Sequence, residues 1–179
     1  DGVTTIDDAV RSLRASGKTG WELVAAAQKL VNAKMAYSRR NGWDTPALAF
    51  RRGMGYCQQQ GMALWLILHK LGIEARPVQA LRCQFPPAVI HGYPEPGRIS
   101  GHMWLVVTID GEEKDVCPGH PDNKPGKVHF TRLSRRTSYG PILRMLGHIG
   151  SMVVNAQRDR AAARHRAKSA NRGPVALRE

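Results

Sequence analysis

Apolar and polar residues fall along this chain in blocks whose spacing predicts the elements. Thr5 to Ala15 reads as a short helix with Thr5 or Asp7 as its cap. Thr19-Gly20-Trp21-Glu22 has the Thr-x-x-Glu form of a capping box. It opens a longer helix through about Tyr37, with Leu23, Ala26, Ala27, Leu30, Val31 and Lys34 at helical spacing. Asn41-Gly42 closes that helix. Asp44 to Tyr56, which contains Pro46, Gly53 and Gly55, reads as a loop. A further helix runs from near Cys57 to Leu71 and stops at Gly72. Its stretch from Met62 to Leu68 is apolar on every face, the mark of a central, buried helix.

Beyond Gly72 the period changes. Ala75 to Phe85 reads as a strand, Pro86 to Ser100 as a Pro- and Gly-rich loop, and Met103 to Ile109 as a strong strand. Asp110-Gly111 is a tight hairpin turn, and Glu112 to Cys117 is the return strand. Pro118 to Gly126 reads as a loop, and Val128 to Leu133 as a last strand. Pro141 to about Lys168 reads as one long helix or two. Helices first and an antiparallel sheet after them predict an α+β fold. The expected division is one domain over 1–154 and a basic C-terminal helix or tail over 155–179.

Composition narrows the class. With 179 residues, 42% hydrophobic and 23% charged, the chain is of globular type and long enough for a core without disulfides. No apolar run approaches the ~20 residues of a membrane span, so no membrane partner is expected. The start at Asp1 rather than Met reads as trimming, and no basic start with an apolar middle marks a signal peptide. Three cysteines, Cys57, Cys83 and Cys117, make no disulfide scaffold, so a reduced, cytoplasmic setting is expected. The net charge is +13, and residues 155–179 alone carry seven basic and two acidic side chains. That tail is either a solubilising surface or a handle for an acidic partner.

Two segments carry candidate chemistry. Gly53-Met54-Gly55-Tyr56-Cys57 delivers a cysteine to the first turn of the buried helix. Free N–H groups and the helix dipole there favour a thiolate, and the same N–H groups can hold an oxyanion. Gly101-His102-Met103-Trp104 puts a histidine on a strand, a fit base for a thiol nucleophile. Lys114-Asp115-Val116 puts a carboxylate on the next strand, where it could orient that histidine. The bland alternatives are a buried small cysteine, a structural histidine and a surface aspartate.

Together, Gly55-Tyr56-Cys57-Gln58-Gln59-Gln60-Gly61, Gly72-Ile73-Glu74-Ala75-Arg76, His102-Met103-Trp104 and Asp115 resemble the transglutaminase-like superfamily. The resemblance implies a papain-like core with helices packed on an antiparallel sheet. It also implies a Cys57-His102-Asp115 triad and acyl transfer from a peptide or carboxamide through a thioacyl intermediate. A peptidase or amidase is favoured over protein cross-linking, with a peptide or protein as substrate and no cofactor. One departure concerns the acid. In the family it commonly follows the His by about 15 residues and precedes a proline. Here Asp115 follows at 13, whereas Cys117 stands at 15, before Pro118. A tight Asp110-Gly111 turn pairs Val106 with Asp115, leaving His102 four residues, or about 13 Å, along the strand. Either a bulge closes that gap, or the site is a Cys-His dyad, or Asp122 supplies the acid. For a second oxyanion donor the candidates are Asn41, Trp43 and Gln58, with Trp43 first because its indole only donates.

Two other functions compete. Cys83, His91, His102, Cys117, His120 and His129 are zinc-type ligands, but only Cys117-Pro118-Gly119-His120 is compactly spaced, so no metal is expected. Alternatively, the chain is a non-catalytic transglutaminase-like binding module whose basic tail contacts nucleic acid or an acidic partner.

Overall fold

A computed structural model describes residues 2–38, 40–90, 93–140, 145 and 149, with backbone alone for 88–90 and 93–95. Helix α1, Ile6–Ala15, starts at Thr5, whose hydroxyl accepts from Asp8 N–H while Asp8 accepts from Thr5 N–H in a closed capping box. Its apolar face, Ile6, Ala9, Val10 and Leu13, is buried. Helix α2, Gly20–Lys34, ends three residues before the expected Tyr37, and Thr19 makes no side-chain cap bond. Met35 is extended, and strand β1, Ala36–Tyr37, pairs in parallel with strand β2, Met54–Gly55. That pairing takes the backbone groups a continuing helix would have used.

The expected loop over 44–56 contains helix α3, Pro46–Arg52, in addition to β2. Thr45 caps it, Pro46 occupies its first turn, and Gly53 leaves it in the left-handed conformation at φ 70°. A proline at that position starts a helix rather than breaking one. Helix α4, Cys57–Lys70, follows as expected. Leu64, Ile67 and Leu68 on it are fully buried, each burial stabilising the fold by about 1.5–3 kcal/mol.

The sheet is antiparallel. Strand β3, Glu74–Phe85, pairs with β6, Arg98–Ile109, and β6 with β7, Glu112–Val116. Between them the expected loop holds a small hairpin of β4, Ala88–Ile90, and β5, Tyr93–Glu95. The expected last strand is reduced to β8, Thr131–Arg132, followed by β9, Thr137–Ser138; both pair with β3. The helical stretch expected from Pro141 lies almost wholly outside the described residues; of it, Met145 and Ile149 are helical.

Residues 102–107 of β6 are buried on both faces, which explains their unbroken apolar run. Met103, Leu105 and Val107 face α1, α2 and α4 in the larger core with Val116 of β7. Trp104 and Val106 face a smaller cluster of Val78, Ala80, Cys83, Phe85, Cys117 and Phe130. Two glycines let α4 approach. A Cβ on Gly61 would lie 2.6 Å from Met103 Sδ, and one on Gly55 would lie 2.9 Å from Gln59 Cβ and from Met35 Cε. The architecture is α+β, with a cysteine at the start of the central helix.

Candidate active site

Cys57 is the first residue of α4 and is partly exposed, whereas Cys83 and Cys117 are buried. The N–H groups of the first helical turn have no intrahelical carbonyl to bond. Gln59 fixes the approach to this turn. Its Oε1 accepts from Tyr56 N–H at 3.2 Å, and its Nε2 donates to the carbonyls of Asn41 at 2.7 Å and Asp44 at 3.0 Å. The chain entering the helix is thus tied to the turn before α3.

His102 lies opposite Ala80 on β3, with Phe130 and Phe85 edge-on to its ring at centroid distances of 4.7 and 5.2 Å. Trp104 stacks at 6.1 Å. Burial in this aromatic box, aided by the charges of His129 and Arg98, pushes the His102 pKa down to about 3. The ring is therefore neutral at rest. Its Nε2 sits 3.3 Å from Cys117 Sγ. That sulfur also accepts from Gly119 N–H at 3.5 Å. Burial raises the Cys117 pKa to about 12; Gly119 N–H opposes the rise, and the charges of Cys57, Cys83 and Asp115 add to it. Cys83 is raised to about 11, again chiefly by burial, with Arg132 opposing and Cys57 adding.

The expected triad does not close around Asp115. The Asp110-Gly111 turn gives the register Ile109 opposite Glu112 and Val106 opposite Asp115, with no bulge in β6–β7. The Asp115 carboxylate instead accepts from Trp104 Nε1 at 2.8 Å and from Arg136 at 3.3 Å, bracing the indole that stacks on His102. Asp122 is exposed and faces His120. The sulfur within 3.3 Å of His102 Nε2 is that of Cys117.

Of the oxyanion candidates, Asn41 spends its amide donors on Asp44 Oδ2 and Met54 O and so acts as a turn brace. Gln58 is buried and its Oε1 accepts from Tyr56 OH. Trp43 is 69% exposed. Trp43, Tyr56, Gln58, Met145 and Ile149 line one cleft of about 500 Å³ that flanks the start of α4. Two further residues hold the segment after β7 and a third ties α4 to the end of α2, and none had a signal in the sequence beyond being a polar residue in a helix. Gln28 Nε2 donates to Cys117 O at 3.0 Å and Asn32 Nδ2 to Pro118 O at 2.7 Å, while Gln60 Nε2 donates to Met35 O at 2.8 Å. Cys117 did have a signal, its place before Pro118 at the family's acid position.

Among the described residues no three His, Cys, Asp or Glu side chains converge as metal ligands, and no helix is long and apolar enough to cross a membrane. No family model and no curated protein sequence matches the chain. Among solved structures, one provisionally described as a cysteine protease from Cytophaga hutchinsonii is similar at 13% identity and a TM-score of 0.45. The match covers 75% of this chain and 49% of that one, so the chain spans about half its length.

Proposed function

We propose that the chain is a cysteine-dependent acyl-transfer enzyme of the transglutaminase-like type, acting as a peptidase or amidase. The observation that carries this reading is a partly exposed Cys57 on the first turn of the buried α4, in the same domain as a buried, neutral His102 on β6. In the proposed reaction Cys57 gives its proton to His102, and the thiolate attacks a peptide or carboxamide carbonyl, forming a C–S bond. First-turn N–H groups hold the oxyanion, with Trp43 or Gln58 as a second donor. The C–N bond then breaks, the amine leaves with the proton from His102, and water hydrolyses the thioester to a carboxylate. The apolar cleft beside Cys57 receives a side chain of the peptide. The site needs no cofactor. The basic tail, 155–179, steers an acidic substrate or partner.

A second reading is the non-catalytic binding module. It draws support from the neutral, buried thiol beside His102, which supplies no charge to an imidazolium. A peptidyl acyloxymethyl ketone, which alkylates a thiolate held by a working base, separates the two readings. The enzyme reading predicts stoichiometric labelling of Cys57 that is lost in a folded His102→Gln variant. Absence of labelling in the folded native chain supports the binding module.

A further inference from the structure

The residue facing His102 Nε2 is a cysteine, and its surroundings make it a positioning group rather than a second nucleophile. Cys117 is 1% exposed, and its carbonyl is pinned by Gln28 of α2 and by Asn123, whose Nδ2 donates to it at 2.8 Å. The adjoining carbonyl of Pro118 is held by Asn32. Polar side chains from a helix and a loop thus fix the backbone that carries the sulfur. The sulfur accepts from Gly119 N–H and meets Nε2 at 3.3 Å. A Cβ built on Gly119 would lie 3.4 Å from Cys117 Sγ and 3.8 Å from Gln60 Oε1. That oxygen is buried and has no hydrogen bond among the described residues. The thiol and that oxygen therefore border the same small space beside Gly119. At 3.3 Å the sulfur is within range to accept an Nε2–H.

We propose that Cys117 is the positioning residue of the site: its neutral thiol accepts the Nε2–H of His102, locks the ring, and leaves Nδ1 as the basic nitrogen that serves Cys57. This rests on the enzyme reading given above. A thiol in this place orients the ring as a carboxylate would, but it adds no negative charge to stabilise the imidazolium. Around the ring stand Phe85, Trp104 and Phe130, with His129 and Arg98 as the charged or titratable groups that act on it. Around the thiol stand Cys57, Cys83 and Asp115. None of these groups replaces the missing carboxylate at Nε2.

The first test needs no variant. Nitrogen-15 NMR of the native chain near neutral pH reads the His102 tautomer directly. The proposal requires a protonated Nε2 and a bare Nδ1; a protonated Nδ1 with a bare Nε2 overturns it. The second test follows the pH dependence of Cys57 alkylation by iodoacetamide in Cys117→Ser, Cys117→Ala and Cys117→Asp, each verified as folded by thermal melting. Serine keeps an acceptor and should retain the native profile. Alanine removes it, and the rate at pH 7 should fall about tenfold, as when an outer partner of a functional histidine is lost. Aspartate should move the alkylation midpoint to lower pH by favouring the Cys57 thiolate–imidazolium pair. Should alanine leave the profile unchanged while His102→Gln suppresses alkylation, the positioning role is wrong and the enzyme reading stands. Should His102→Gln also have no effect, the enzyme reading itself is wrong.

Discussion

Replacing Asp115 with alanine separates the two roles that its position on β7 invites. The structure makes it a brace: Trp104 is fully buried, and its indole N–H has the Asp115 carboxylate at 2.8 Å as partner. Alanine strands that donor in the core, which costs about 1–3 kcal/mol. The pair with Arg136 is about a third exposed on each side and contributes at most about 1 kcal/mol. The expected loss is therefore about 1–4 kcal/mol. At ~2–4 °C per kcal/mol for a chain of this size, the melting temperature should fall by roughly 2–16 °C. The Asp115→Asn variant, whose amide oxygen can still accept from the indole, should lose less than half as much. Thermal melting followed by Trp fluorescence measures this directly, and iodoacetamide alkylation of the folded variant measures the chemistry. The expectation is a destabilised protein in which Cys57 keeps its native alkylation profile. If the folded variant loses Cys57 reactivity while its melting point is unchanged, Asp115 is a member of the triad and the register argument fails.

Three other outcomes follow from the same contacts. Gly55→Ala forces a Cβ against Gln59 Cβ at 2.9 Å and should destabilise by about 1–3 kcal/mol; a urea midpoint equal to the native one would show that α4 moves away freely. His102 and His129 have folded pKa values of about 3 and about 4, both lowered first by burial, so the unfolded chain takes up protons first as pH falls below ~6.5. Stability should be full above that pH and decline toward pH 4, by at most about 1.4 kcal/mol per pH unit from His102 and less from the half-solvated His129; a urea midpoint at pH 5.5 equal to that at pH 7.5 contradicts this. Truncation before Asn155 should leave a folded chain with a reactive Cys57, and any lost affinity for an acidic partner should appear mainly at low salt; unfolding would make the tail part of the core.

The long elements were legible because each carried its own pattern. The apolar run of α4 and the stop at Gly72, the length of β3, and the Asp110-Gly111 turn with its register all follow from residues that interact locally. Short elements were missed where the partner is distant in sequence. Ala36–Tyr37 looks helical until β2 captures it, and Pro46 looks like a breaker until Thr45 caps the helix it begins. The same limit applies at the site. A tight Asp110-Gly111 turn predicted Val106 opposite Asp115 and the structure keeps that register, without the bulge that would have carried Asp115 to His102. What the spacing did not show is that the chain leaving β7 lays the sulfur of Cys117 against His102, because α2 and the loop at Asn123 hold that backbone from outside the motif.

Competitive alkylation with mass mapping tests the central claim, that Cys57 is the nucleophile, most directly. A partly exposed thiol at a helix start should react well below the pH at which the buried Cys83 and Cys117, raised to about 11 and about 12, form thiolates. Brief treatment of the native chain with limiting iodoacetamide at about pH 6–7 should label Cys57 almost alone, with the two others modified after denaturation. Labelling of Cys117 or Cys83 ahead of Cys57 in the folded chain would contradict the account.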